Sequence, residues 1–189
     1  DLVRSRGLGD VYKRQPFVPT HYFENMADYA SRHGSSGEAL FARAKLDMER
    51  VTRDGHVRFS EFRALLLATA VETGRASFAL ELGSLLTPAS HGALGLAVLA
   101  SDSLRDAFAL IVRYVRTRTP LVHVKHHVRD GVVIVRVTDG IVLGDVQRPI
   151  HELVIGTLVS ALRTLTSGRF RVKSVRFAFA APDYVDRVA

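Results

Sequence analysis

Residues 101–140, SDSLRDAFALIVRYVRTRTPLVHVKHHVRDGVVIVRVTDG, change their hydrophobic period at a single proline. Before Pro120, Leu104, Phe108, Ile111, Val112 and Val115 recur at helical spacing and form one stripe. Arg105, Asp106, Arg113 and Arg116 stand mostly off that stripe. Ser103 and Asp106 open the segment at capping-box spacing, where each side chain reaches the other's backbone N–H, although Asp is shorter than the preferred Glu. After Pro120 the period becomes two. Val122, Val124, His126 and Val128 alternate with Leu121, His123, Lys125 and His127. Asp130-Gly131 then makes a tight turn, and Val133, Val135 and Val137 return as the partner strand. A helix running into a β-hairpin is the consequence.

Upstream, the signals are helical. Thr20 stands where a cap belongs before Phe23, Met26, Ala27 and Ala30, with Gly34 as the stop. A short helix is expected over residues 37–44. Ser60 is the expected cap of another, with Phe62, Leu65, Leu66 and Thr69 on one face and Gly74 at its end. Phe78, Leu82, Leu85 and Leu86 run on to Pro88. Downstream, Pro149 suits a first helical turn, and Ile150, Leu153, Val154, Leu158, Ala161, Leu162 and Leu165 line one face before Gly168. Val175, Phe177 and Phe179 alternate as a further strand ahead of Pro182. The expected fold is α+β: a helical N-terminal half, an antiparallel β-hairpin, a long helix and one more strand.

The chain has 189 residues, 47% apolar and 24% charged, enough for one domain with a hydrophobic core. No run approaches the roughly 18 uninterrupted apolar residues of a membrane-spanning helix, so a cytoplasmic location is the expectation. The absence of cysteine removes disulfides, thiolate nucleophiles, iron–sulfur clusters and cysteine zinc sites together. Residues 5–15, SRGLGDVYKRQ, have no amphipathic period, and their back-translation resembles a transposase-based sequencing adapter read in frame. Residues 1–15 are therefore expected to be foreign and residues 16–189 to be the domain proper, cut short at its C-terminus. The first 15 residues hold two more cations than acids, so about +5 of the formal charge of +7 belongs to the remainder. Those cations are scattered rather than striped, which weakens the case for direct nucleic-acid binding through Arg105, Arg113, Arg116 and Lys125.

The segment SHGALGLAV (residues 90–98) has two glycines but neither the Lys-Ser/Thr of a Walker loop nor the preceding strand of a dinucleotide fold. Gly92 and Gly95 instead read as small residues that let a short helix approach its neighbour. His123 and His127 share one strand face while His126 points to the other, which does not converge on a metal. His91 beside Gly92 is the one candidate haem ligand. No nucleophile elbow and no carboxylate pair on one helical face is present, so no enzyme is expected.

The succession LFARAKLDMERV, TGRASFALELGSLLTPASHGALGLAVLASDSLRDAFALIVRYVRTRTP, HELVIGTLVSALRTLTSG and VKSVRFAFAAPDYV resembles the N-terminal ligand-binding and dimerisation region of AraC-family bacterial transcription regulators, in the subgroup related to ornithine-utilisation regulators. The most specific part is the ordered block Glu81-Leu82-Gly83, Gly92, Gly95, Ser101 to Ser103, Leu104, Ala107 and Arg113-Tyr114. The resemblance implies a homodimeric sensor of a small-molecule effector, with DNA read by a helix-turn-helix module that this sequence does not contain. It also implies strands beyond Tyr184; no cofactor and no metal is expected. An effector would lie between the helical half and the sheet, with Arg113, Tyr114 and Arg148 the expected groups for orienting an anion, because a guanidinium fork binds a carboxylate through two charge-assisted hydrogen bonds. A stand-alone small-molecule or haem sensor is the alternative.

Overall fold

Three short helices are folded between the two strands of a small ribbon at the N-terminal end of the chain. The computed structural model describes residues 16–184; the segment expected to be foreign, residues 1–15, lies outside them. Strand β1 (Phe17–Pro19) pairs antiparallel with β2 (His56–Arg58), Val18 opposite Val57. Between them run α1 (His21–Arg32), α2 (Gly37–Ala44) and α3 (Met48–Asp54). In α1 Phe23, Met26 and Ala30 are buried, as the spacing predicts, while Ala27 is only half-buried and Tyr29, outside the expected stripe, is buried; Thr20 makes no side-chain capping bond. Ser36 caps α2 by accepting from the Ala39 amide at 3.0 Å.

Helix α4 (Phe59–Thr73) begins earlier than Ser60 implies. Its capping residue is Arg58, whose amide donates to the Glu61 carboxylate at 2.9 Å, so the reciprocal acid of the cap fixes the start and Ser60 falls inside. Phe62, Leu65, Leu66 and Thr69 are buried, and Gly74 ends the helix at a φ of 61°. The Tyr29 hydroxyl donates to Glu81 at 2.7 Å, tying α1 to α5 (Phe78–Leu85). Burial of the Glu81 carboxyl would raise its pKa, but hydrogen bonds from Arg75, Ser77 and Tyr29 outweigh this and hold it down to about 2.

A 3-10 turn at Pro88–His91 leads to α6 (Gly92–Leu99), and α7 (Leu104–Arg118) follows. Ser103 accepts from the Asp106 amide at 3.2 Å and donates to its carboxylate at 2.6 Å. Ala107, Phe108 and Ile111 are buried, whereas Leu104, expected in the stripe, is 39% exposed in the first turn. Strands β3 (Val122–Arg129) and β4 (Val132–Asp139) form the hairpin, with Val124 opposite Val137 and His126 opposite Val135. Asp130 and Gly131 take φ values of 52° and 73°, the positive pair that a two-residue type I′ turn requires. The His126 ring stacks on Phe108 at 5.2 Å, which fastens the hairpin to α7.

The last helix, α8 (Gln147–Leu165), accepts Pro149 in its first turn. The strand expected at Val175, Phe177 and Phe179 is not formed, since residues 170–182 join neither ribbon. Alternation sets which face a residue would show, but a strand also needs a neighbouring ladder to bond with. Phe177 and Phe179 stack on one another at 4.7 Å instead. The α+β architecture stands without that strand.

Packing separates into two clusters. The larger gathers α1, α2, α4, α5, the root of β3 and the start of α8 around Met26, Leu40, Leu65, Leu66 and Ile150. The smaller joins α6 to α7 through Val98, Ala107 and Ile111, with Leu94 and Leu158 against it. Helices α5 and α8 meet backbone to backbone. A Cβ on Gly83 would stand 2.3 Å from the Leu153 carbonyl oxygen, and one on Gly156 would stand 2.7 Å from that of Leu80. Gly95 is as constrained, with a Cβ there 1.6 Å from the Pro88 carbonyl oxygen, so it serves the expected close joint; Gly92 does not, since a Cβ there would meet nothing nearer than Arg118 at 3.8 Å, and its φ of 59° is what favours glycine.

Ala in place of a helical Gly ordinarily gains about 1 kcal/mol. At Gly83 or Gly156 the sign should reverse, with Gly→Ala costing about 1–3 kcal/mol in urea denaturation because neither backbone can retreat. Phe108→Ala should cost about 3–5 kcal/mol and Arg116→Ala, on the exposed face, far less.

Candidate functional site

Between the two packing clusters lies a cavity of about 120 Å³. The larger cluster walls it with Phe62 of α4, Leu86, Val122 and Val124 of β3, and Ile150 and Leu153 of α8. The smaller contributes Leu94 and Val98 of α6, Ile111 of α7 and Leu158 of α8. The cavity is thus the seam where helical half and hairpin meet. Gly95 itself lines it, so the close joint with Pro88 shapes one wall.

Polar groups gather at Tyr22, His91 and Arg118, and Thr119 and Thr157 add hydroxyl-bearing side chains to the lining. The Tyr22 hydroxyl and His91 Nδ1 share a hydrogen bond of 2.9 Å. The Arg118 guanidinium donates toward the His21 ring, 3.0 Å from Nε2. Burial drives the His91 pKa down to about 4, with the charges of His21 and Arg118 adding to the effect. Burial lowers that of His21 as well, assisted by Arg118 and opposed by a hydrogen bond with the Ser90 backbone. Burial raises the Tyr22 pKa against the pull of Arg118, so the phenol stays protonated at neutral pH. His91 Nε2 and Arg118 Nε are buried without a protein hydrogen-bond partner among the described residues. Each such group costs about 1–3 kcal/mol when left unmatched.

Of the residues anticipated from sequence, His91 lines the cavity and Arg113, Tyr114 and Arg148 do not. Arg113 and Tyr114 are exposed on α7, the guanidinium 5.3 Å from the neighbouring ring. Arg148 donates to Glu152 at 3.0 Å and lies 5.0 Å from the Tyr184 ring, while the Tyr184 hydroxyl donates to the same buried carboxylate. This group anchors the end of the described chain to α8. Burial and the Glu152 contact push the Tyr184 pKa up to about 12, against the lowering effect of Arg148. His21, Tyr22 and Arg118 went unrecognised. A signal for Arg118 did exist: it continues Ile111 and Val115 at the seventh position, on the buried side of the helix. Nothing in spacing links it to His21, 97 residues away.

His126 lies against Phe108 while His127 is exposed, and no group of three metal-ligating side chains comes together among the described residues. Nor is any single described helix long and apolar enough to cross a membrane.

The family model of the N-terminal arabinose-binding domain of AraC transcription regulators matches residues 34–189. The chain belongs to that family. This AraC-type domain is also 28% identical over 173 residues to the ornithine utilization regulator of Pseudomonas aeruginosa, across 91% of the chain and 51% of that protein. It therefore spans about half the length of this curated relative. A regulator's ligand-binding domain agrees with the site, which gathers Tyr22, His91 and Arg118 at one place and is mostly apolar elsewhere.

An unfolded His91 titrates near 6.5, so its folded value of about 4 makes unfolding take up a proton below that pH. Its contribution to stability is complete above 6.5 and is lost as the pH falls toward 4. The thermal midpoint of the AraC-type domain should drop between about pH 7 and about pH 5, and that of His91→Gln should drop less over the same interval.

Proposed function

We propose that this chain is the effector-sensing and dimerisation part of a bacterial AraC-type regulator, acting in the cytoplasm and coupled to DNA through a separate helix-turn-helix module. The observation that carries the reading is the seam cavity, mostly apolar, with its charged and ring-nitrogen groups gathered where Tyr22, His91 and Arg118 meet. Helices α1, α4, α6, α7 and α8 and strand β3 contribute to its walls, so an occupant would touch the helical half and the hairpin at once. Arg113, Tyr114 and Arg148 lie off this cavity and in this reading do not touch the effector. Support for self-association comes from Leu96 and Leu99 on α6 and Leu104 and Tyr114 on α7, apolar or aromatic side chains exposed on adjacent helices.

A thermal-shift screen of small metabolites tests the assignment, read alongside a cavity-filling Leu158→Trp variant. Compounds that raise the midpoint of the parent chain should lose that effect in the variant, while a hit that stabilises both equally binds elsewhere. Sedimentation should give a dimer that Leu96→Asp shifts toward monomer, and the chain alone should retain no operator DNA. A Soret band on haem addition that disappears in His91→Gln would instead favour the haem-sensor alternative, with the unpartnered Nε2 as ligand.

A further inference from the structure

Charge at the cavity is one-sided. Three arginines are half-buried among the described residues: Arg50, Arg118 and Arg148. Arg50 pairs with Glu61 and Arg148 with Glu152. Arg118 has no carboxylate within ion-pair distance among the described residues, and faces the rings of His21 and Tyr22 and the backbone at Gly92. A guanidinium withdrawn from water gains most from a planar anion that it can hold by two charge-assisted hydrogen bonds. The unmatched Arg118 Nε points the same way, since it is an obligate donor, and His91 Nε2 is likewise unmatched while His91 Nδ1 is taken up by the Tyr22 hydroxyl. Away from this place the walls are aliphatic and aromatic apart from the hydroxyls of Thr119 and Thr157, and no Asp or Glu lines the cavity.

We propose that Arg118 anchors the carboxylate of a small monocarboxylic acid whose apolar body, aliphatic or aryl, occupies the seam between α6, α7, β3 and α8. This rests on the reading of the cavity as the effector site and names the chemistry it selects. A cationic amino acid would bring its ammonium groups to walls that hold no carboxylate, and a sugar would set a ring of hydroxyls against walls that, beyond Tyr22, His91 and Arg118, offer side-chain hydroxyls at Thr119 and Thr157 and are otherwise apolar. A dianionic phosphate would face one guanidinium. His21 and His91 are held neutral by burial, which leaves the net charge at this end at that of Arg118 and matches a monoanion.

The test is calorimetry on the 189-residue chain at neutral pH with octanoate and 3-phenylpropanoate, against octanamide, octylammonium and L-ornithine. Octanoate or 3-phenylpropanoate should bind at least tenfold more tightly than octanamide, and octylammonium and ornithine should give no saturable heat. Arg118→Gln should weaken the carboxylates at least tenfold while leaving octanamide within twofold, Arg118→Lys should recover part of the loss, and Arg116→Gln should change nothing. Should Arg118→Gln fail to fold, His91→Gln and Tyr22→Phe should each weaken octanoate severalfold. No binding of either carboxylate, equal binding of octanoate and octanamide, or indifference to these substitutions overturns the proposal. Where octanamide or ornithine binds as well as octanoate and Leu158→Trp abolishes it, the cavity remains the effector site and only the carboxylate assignment falls. Where octanoate binds the Leu158→Trp variant as tightly as the parent, both readings fall.

Discussion

Helices α5 and α8 touch through their backbones at Gly83 and Gly156, and the position of the cavity follows from that contact. Ordinary helix pairs keep their axes about 8–10 Å apart because side chains intervene. With no Cβ on either side, α8 comes closer to α5 than any larger residue would permit. Ile150 and Leu153 on one part of its face then enter the larger cluster, while Leu158 reaches the smaller. One helix consequently spans both bodies of packing, and the space they fail to fill lies along its flank. The Gly95 contact with Pro88 repeats the device at a second place on the cavity wall.

The polar groups on this cavity sit in tension with the stability of the domain. Burial disfavours protonated His91 and His21, and two nitrogen donors or acceptors lack protein partners. Such groups are commonly kept where function requires them, at the expense of the free energy that an apolar replacement would recover. Elsewhere the half-buried cations are matched: Arg50 by Glu61 and Arg148 by Glu152. The contrast is internal to one chain and needs no outside reference.

Legibility in the sequence followed the length of the periodic signal. Helix α7 and the hairpin repeat their pattern over 15 and 8 residues, and the existence and order of both are readable from it, β4 running two residues past Val137. The ribbon of β1 and β2 has three residues a strand, too few to show a period, and its pairing spans the whole of α1 to α3. Val175 to Phe179 alternate well but find no ladder, a condition set by tertiary placement. The site was harder still, because Arg113, Arg116 and Arg118 are the same residue type on one helix and differ only in rotation about its axis. At about 100° per residue, Arg118 returns to the face of Ile111 and Arg113 does not. That signal was present in the stripe already drawn. Its union with Tyr22 and His21 of α1 depended on the fold.

The β3–β4 hairpin is gripped at one end. Val122 and Val124 are 0% and 5% exposed, and both line the cavity, whereas Val128 near the turn is 58% exposed. Mechanically it is a cantilever whose clamp is the cavity wall and whose free arm projects beyond the core. A two-stranded ribbon has little stiffness of its own, so its bearing is set by the root and by the stack of His126 on Phe108. Leverage then works in one direction: a small displacement of Val122 or Val124 sweeps the tip through a larger arc, and a load on the tip returns to the cavity as torque.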